Sequence, residues 1–321
     1  MTLDDAKEKI EKARSIVILV HDNPDGDAIG AALAMKISLK QWNKKADVII
    51  PEYPEEFKDL PGIEEVIAES EKKNYDLAIA LDSGSTKQLH GYDEYFTTAR
   101  NTLVIDHHYS NQMYGDLNYV DGNCPACCQL LIPIFKYFEI EINKEMAENL
   151  LAGIITDTGG FRYEQVSADT FEFVAELIDL GVKISDLYSK VFATKSKSKF
   201  LLHQIAMNRY EFLFDGKVAY TYITKEDEKE VGAKEGDHNG IAELGRDVEG
   251  VEVSIFLRET GKNQIKGSLR SKTYVNVANL ASLFGGGGHI RAAGFTQENT
   301  NIERVRDQLL MQLKGLLKEN E

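Results

Sequence analysis

"SIVILVHDNPDGDAIG", residues 15–30, runs from a branched apolar stretch straight into one histidine and three acids within seven residues. The apolar part has strand length. After Gly30, Leu33 and Ile37, and Met35, Leu39 and Trp42, recur at the three- and four-residue spacing of a helix. The segment therefore reads as strand, acid-rich turn, helix. The pattern repeats: "DVIIP" (47–51), "YDLAIALD" (75–82) and "TLVIDHH" (102–108) are further short branched-apolar runs with helical stretches between them. Strands alternating with helices predict an α/β domain with a mostly parallel, doubly wound sheet. "KEMAENLLAGIITDTGGF" (144–161) predicts a helix with Met146, Leu150, Leu151, Ile154 and Ile155 on one face, stopped at Gly159-Gly160.

The second half differs. "ATKSKSKF" (193–200) is polar and rich in Ser and Lys, as a linker or linker helix would be. Beyond it "KVAYTYIT" (217–224) and "VEVSIFLRE" (251–259) alternate like half-buried strands. "QIKGSLRS" (264–271) is placed to pair with the latter, and two terminal helices close the chain. The expectation is a first domain over 1–190, a linker over 191–205 and a smaller α+β domain over 206–321, with a cleft between the two domains.

The 321 residues are 43% hydrophobic, and 52 acids against 37 Lys and Arg give a net charge of −15. Gripping long nucleic acid needs a broad basic face, which this balance disfavours; a small phosphorylated ligand in a local pocket is not disfavoured. The apolar runs are too short to span a bilayer and the N-terminus has no signal-peptide core, so the expected location is cytoplasmic, with no membrane partner. Cys124, Cys127 and Cys128 all fall in "NCPACC". Without a second cysteine pair they read as reduced structural thiols at a helix start, not as a zinc site.

Three predicted strands finish at acids or acid–histidine clusters: His21, Asp22, Asp25 and Asp27; then Asp82 in "LDSGS"; then Asp106, His107 and His108. In an open parallel sheet the carboxyl ends of the strands share one edge, where ligands bind. Asp157, at the end of the helix in "IITDTGGF", adds a fourth contribution. Any one such acid is ordinarily a helix cap or turn former. Together they repel unless cations sit among them, which points to a metal site. The number of ligands exceeds what one small cation needs at a site left open for substrate; a pair bridged by a carboxylate would use them all.

"HDNPDGDAIG", "LDSGS", "DHHYSN" and "TDTGGFRY" resemble, in order and spacing, the four motifs of the DHH phosphoesterase superfamily. The resemblance implies two divalent cations, usually manganese. It assigns His21, Asp25 and Asp82 to one, and Asp27, Asp82, His107 and Asp157 to the other, with Asp82 bridging. His108 is left to meet the substrate phosphate as the catalytic side chain, and Asp106 to orient a neighbouring imidazole. Mixed imidazole and carboxylate ligation suits manganese, with magnesium, cobalt or zinc as alternatives.

"LFGGGGHIRAAGF" (283–295) would be a flexible loop on its glycines alone. Yet from Ile265 to Gln297 there is no Asp or Glu, while Lys266, Arg270, Lys272 and Arg291 all fall there. Composition would place about five acids in such a window. The stretch is similar to the glycine–histidine motif of the DHHA1 domain, and "GSLRS" to its arginine-bearing strand. This resemblance assigns Arg270, Gly286, Gly287, Gly288 and His289 to substrate binding. A two-domain chain of this length resembles the nanoRNase and pAp phosphatase branch. That implies hydrolysis of short RNA or DNA oligonucleotides to mononucleotides and dephosphorylation of 3′-phosphoadenosine 5′-phosphate. Turnover of linear or cyclic dinucleotides such as pApA or pGpG is the alternative. Nucleotides are the expected partners, and the oligomeric state, a homodimer included, stays open.

Overall fold

A computed structural model describes residues 2–190, 195–234 and 236–317. Two compact units divide the chain, Met1–Thr194 and Lys195–Glu321.

In the first unit, strands β1 (Ile16–Leu19), β2 (Ala46–Ile49), β3 (Leu77–Leu81), β4 (Thr102–Asp106) and β5 (Leu117–Val120) form one sheet in the order β2-β1-β3-β4-β5. Every pairing is parallel. β1 and β3 are buried along their whole length, which is why they read as continuous apolar runs instead of alternating ones. The helices are α1 (Leu3–Lys12), α2 (Gly26–Gln41), α3 (Asp93–Thr97), α4 (Cys127–Tyr137), α5 (Lys144–Asp157), α6 (Ala168–Asp179) and α7 (Ile184–Tyr188). A large core unites α2, α4 and α5 with one sheet face, and a smaller one (Leu89, Tyr95, Phe96) covers the other. The doubly wound expectation therefore stands. The order reverses between β1 and β3, and at such switch points doubly wound sheets bind ligands.

Two glycines allow α2 and α5 to approach closely. A Cβ on Gly30 would lie 2.4 Å from the Asn149 carbonyl oxygen, and one on Gly153 would lie 2.6 Å from Asp27 Oδ1. α2 starts at Gly26, not after Gly30, because the Asp25 side chain caps it by accepting from the amides of Asp27 and Ala28.

The second unit begins with α8 (Lys197–Asn208). Residues 191–194 of the expected linker lie outside the described residues, and from Lys197 its remainder is helical. Strands β6 (Glu211–Leu213), β7 (Val218–Ile223), β8 (Val253–Gly261), β9 (Gln264–Ser271), β10 (Gly287–His289) and β11 (Ala292–Glu298) form a mixed sheet, ordered β10-β11-β9-β8-β7-β6. β8 and β9 pair antiparallel as expected, and β7 and β8 pair parallel. Helices α9 (Lys225–Val231), α10 (Ile241–Arg246), α11 (Val277–Ser282) and α12 (Ile302–Leu316) complete it. α11 and α12 pack on one face through Leu280, Val305 and Leu309, while α8 and α10 cover part of the other around Phe256. The glycine-rich stretch is not a free loop: its end forms β10, paired with β11. Among the described residues no helix is long and apolar enough to cross a membrane.

Candidate metal centre

The strand ends converge. His21 follows β1, Asp82 follows β3, and Asp106 ends β4, with His107 and His108 next. Asp25 and Asp27 sit at the start of α2, and Asp157 ends α5. Their donor atoms fall into three groups, each with its members within 4.8 Å of one another: His21, Asp25 and Asp82; Asp27, His107 and Asp157; and Asp82, His107 and His108. Each group could hold a metal ion, and Asp82 belongs to two of them.

Asp82 takes a left-handed backbone (φ 51°), which bends the chain sharply after β3. Such backbone is uncommon for a residue with a side chain, Asp being among the more tolerant types, and it recurs at functional sites. His21 Nε2 lies 3.7 Å from Asp82 Oδ2, and His107 Nε2 lies 3.2 Å from Asp82 Oδ1 and 3.1 Å from Asp157 Oδ2. The His107 Nδ1 position is fixed by the Cys124 carbonyl at 3.0 Å. Nδ1 carries the proton in that contact, so Nε2 is the nitrogen turned to the acids and the one that a cation would take once its proton is displaced. Asp27 is fully buried, and the amides opening α4 hold it: Cys127 N donates to Oδ2 at 2.5 Å and Cys128 N to Oδ1 at 2.8 Å. The positive end of α4 thus faces that carboxylate.

The electrostatics leave a deficit of positive charge. Desolvation first, then Asp82 and Asp157, push the Asp25 carboxyl up to about 6, although half of its side-chain surface meets solvent. Burial and the same two acids push Asp27 well above the carboxylate range. Burial would raise Asp82 too, but the close approach of His107 and the charges of three imidazoles outweigh it and hold Asp82 low. Burial disfavours the His107 cation, yet Asp157, Asp82 and Asp27 reverse that and raise it strongly. Asp82 Oδ1 is left buried with no hydrogen-bond partner. A buried acceptor of this kind costs about 1–3 kcal/mol. Hard oxygen donors, two imidazoles turned inward and an orphaned carboxylate oxygen fit a divalent cation well.

His108 stands slightly apart. Its Nδ1 lies 2.7 Å from Asp106 Oδ1, and Asp106 is fully buried. Asn111 Nδ2 donates to Asp106 Oδ2 at 2.6 Å and to the Ser83 carbonyl at 3.2 Å, tying the turn after β4 to the turn after β3. Burial disfavours the charged imidazole, but Asp106 and Asp82 outweigh it and raise His108. Asn111 lies within the quoted "DHHYSN" but carried no separate expectation; only its reach back to Asp106 shows its part.

In the second unit Arg270 (β9), Ala292 (β11) and His289 (β10) pair across the sheet at one level, so their side chains share a face. Arg270 and His289 are thus brought together, and both are at least partly open to solvent. The glycines divide. A Cβ on Gly286 would lie 2.1 Å from the Gly294 carbonyl oxygen, and one on Gly288, at φ 142°, 2.6 Å from that of Ala292. Packing alone requires both. Of the three glycines assigned to substrate, Gly287 alone faces open space.

Residues 15–154 match the family described as DHH family, N-terminal domain, and residues 215–319 match the DHHA1 domain. Over 92% of the chain and 88% of the relative, 33% of positions are identical to the bifunctional oligoribonuclease and PAP phosphatase of Thermus thermophilus. The protein of the same name from Bacillus subtilis is 25% identical over 96% of both chains. The crystal structure of an exopolyphosphatase-related protein from Bacteroides fragilis superposes with a TM-score of 0.91 at 29% identity, covering 98% of this chain and 97% of that one. Three strand-end motifs and one helix-end motif gathered at one centre, with two successive domain matches, lead to one assignment: the chain belongs to the DHH phosphoesterase family, with a DHHA1 domain following the DHH domain.

Proposed function

We propose that this chain is a metal-dependent phosphoesterase that hydrolyses short oligonucleotides to mononucleotides and dephosphorylates 3′-phosphoadenosine 5′-phosphate. The observation that carries this reading is the gathering of His21, Asp25 and Asp82 and of Asp27, His107 and Asp157 into two adjoining donor groups, which meet where His107 approaches Asp82, in a chain whose relatives bear that double activity in their names. His21, Asp25 and Asp82 would hold one cation, and Asp27, Asp82, His107 and Asp157 the other, with manganese the metal proposed. Bound divalent cations supply Lewis-acid polarisation of phosphoryl oxygens and a water that ionises near neutral pH.

The chain's own groups do the rest. Asp106 holds the Nδ1 proton of His108, so His108 Nε2 is left to donate to a phosphate oxygen as charge develops there. Asn111 keeps Asp106 in that orientation. Arg270 and His289 hold a second, non-reacting part of the nucleotide. Their own stretch of chain carries no acid, Glu243 of α10 being the carboxylate that meets Arg270, and it receives an anion that the acidic surface elsewhere repels, which favours short substrates over long strands.

The test is phosphate and nucleotide release from pAp, a dinucleotide and pyrophosphate, each with and without manganese. Turnover of the first two and not the third is the expected result. Pyrophosphate as the preferred substrate, or no turnover with any cation, would overturn the proposal.

A further inference from the structure

The C-terminal sheet carries a second concentration of positive charge, away from Arg270. In the register of β8 on β9, Arg258 stands directly opposite Lys266. Residues paired in this way have Cβ atoms about 5 Å apart, and like charges there destabilise a sheet. Arg258 is largely buried and is met by Glu228 Oε1, 3.6 Å from its Nη1. Lys266 is exposed, and its ammonium has no ion-pair partner among the described residues. On its other side stands Thr296 of β11, which brings no charge. His238 feels the same positive field: burial first, then Arg258, Lys266 and Lys199, push its imidazole down to about 4. Local arrangements that work against the fold mark places selected for something else.

Lys266 is also aligned with the residues assigned to substrate. β9 alternates regularly, with Ile265, Gly267, Leu269 and Ser271 buried, so Lys266, Ser268 and Arg270 share the other face. No register shift interrupts the pairing with β11, which sets Thr296, Gly294 and Ala292 opposite these three. The result is a floor of small side chains with a cation at each end. Four residues of strand separate the two ends by about 13 Å, roughly two sugar-phosphate repeats of an extended strand.

We propose that Lys266, set beside the largely buried Arg258, forms a second anion subsite, which takes a backbone phosphate about two repeats from the one held at Arg270. The inference rests on the phosphoesterase reading above and adds a length criterion to it. 5′-phosphorylated oligonucleotides of four or more residues reach the subsite, whereas pAp and dinucleotides end before it.

Wild type, Lys266→Ala and Lys266→Glu are compared on pAp, a dinucleotide and a 5′-phosphorylated tetranucleotide under saturating manganese. Calorimetric titration with the tetranucleotide in the absence of metal reads binding apart from turnover. Lys266→Ala should lower kcat/KM for the tetranucleotide about tenfold, through KM, and Lys266→Glu should lower it further. The loss should be absent with the two shorter substrates. An unchanged tetranucleotide value, or an equal fall on all three substrates, overturns the subsite. A wild-type chain that turns over none of the three overturns the phosphoesterase reading instead. The titration then decides the subsite separately: weaker binding by Lys266→Glu supports it, and equal binding overturns it.

Discussion

Arg270 Nε donates to Glu243 Oε1 at 2.8 Å, so the guanidinium assigned to substrate is already braced by a carboxylate from α10. Nη1 is taken up as well, by the Leu269 carbonyl at 3.0 Å. These two bonds fix the plane of the group before substrate arrives, which reduces the entropy lost on binding. Removing Arg270 should cost one charge-assisted phosphate contact, about 2 kcal/mol or roughly thirty-fold, with a nucleotide substrate. Arg270→Ala and His289→Ala should both spare bis-p-nitrophenyl phosphate, which offers nothing for them to hold. Steady-state kinetics on the two substrates checks this. Equal losses on both would place Arg270 at the reacting centre itself.

Asp106 and His108 give a second prediction. Asp106→Asn keeps the size of the side chain but presents an amide to His108 Nδ1, so the imidazole loses the acceptor that sets its proton and orientation. Orienting partners of this kind are worth about 10- to 100-fold. The fall should appear in kcat with KM little changed, because the contact to the phosphate strengthens in the transition state. Asn111→Ala should give a smaller loss of the same type. If KM rose and kcat held for both variants, His108 would be a ground-state binding group only.

The acid proposed as the bridge gives a third. Asp82→Ala removes a carboxylate shared by two of the candidate ligand groups, so activity with manganese should fall about a thousandfold. The fold should survive, because the side chain makes no hydrogen bond through Oδ1 and its loss relieves acid crowding. Circular dichroism and a melting curve check the second half. In the parent chain manganese should raise the melting temperature and a chelator should reverse the rise. A melting temperature indifferent to both would make the cluster structural.

The sequence made parts of this architecture legible and hid others for definite reasons. β1, β3 and β4 are buried on both faces, so their apolar runs stand out and the acids at their ends stand out with them. β5 is only half-buried at the sheet edge and has no comparable run. β10 reads as a loop because glycines carry no side-chain pattern; backbone approach to β11 decides it. The side chains gathered at the candidate metal centre could be read because their chemistry is in the side chains. Their supports could not. Asp27 is held by amides a hundred positions away, at Cys127 and Cys128, and His107 by the Cys124 carbonyl. The cysteines read as inert thiols at a helix start, and their buried thiols are pushed upward accordingly; their backbones hold the centre.

Cation binding should depend on pH in a definite direction. The Asp25 carboxyl, pushed up to about 6 chiefly by desolvation, and Asp27, pushed well above its usual range chiefly by burial, take up protons in the metal-free fold that an unfolded chain would release near 3.8. Raised acids of this kind favour the metal-free fold at low pH, an advantage lost as pH rises through the folded value. His107, raised by its acid partners after burial, also holds a proton that a cation must displace. All three effects oppose cations more strongly as pH falls. The melting-temperature gap between manganese-loaded and metal-free protein should therefore narrow from pH 7.5 to about 5.5. A gap that stays constant would mean these groups are not displaced by the ion.

The last prediction concerns the support of the second unit. Glu252 is 5% exposed and accepts the amides of Thr273, Tyr274 and Val275 together with the Thr273 hydroxyl. Burial would raise its carboxyl, but these four donors outweigh burial and hold it below the usual range. The turn it pins leads from β9 into α11, and Arg291 Nη1 is tied to the same turn through the Val275 carbonyl. Glu252→Ala would leave several buried donors unmet and should cost about 3 kcal/mol. The contribution of a depressed acid is complete above its unfolded value of about 4.5 and is lost as pH falls through the lower folded value. The difference in urea stability between parent and Glu252→Ala should therefore hold from pH 7 to about 5 and shrink below about 4. Glu252→Gln, which keeps one acceptor and no charge, should fall between the two. A variant as stable as the parent at pH 7 would mean that the turn finds other acceptors and that Glu252 does not hold it.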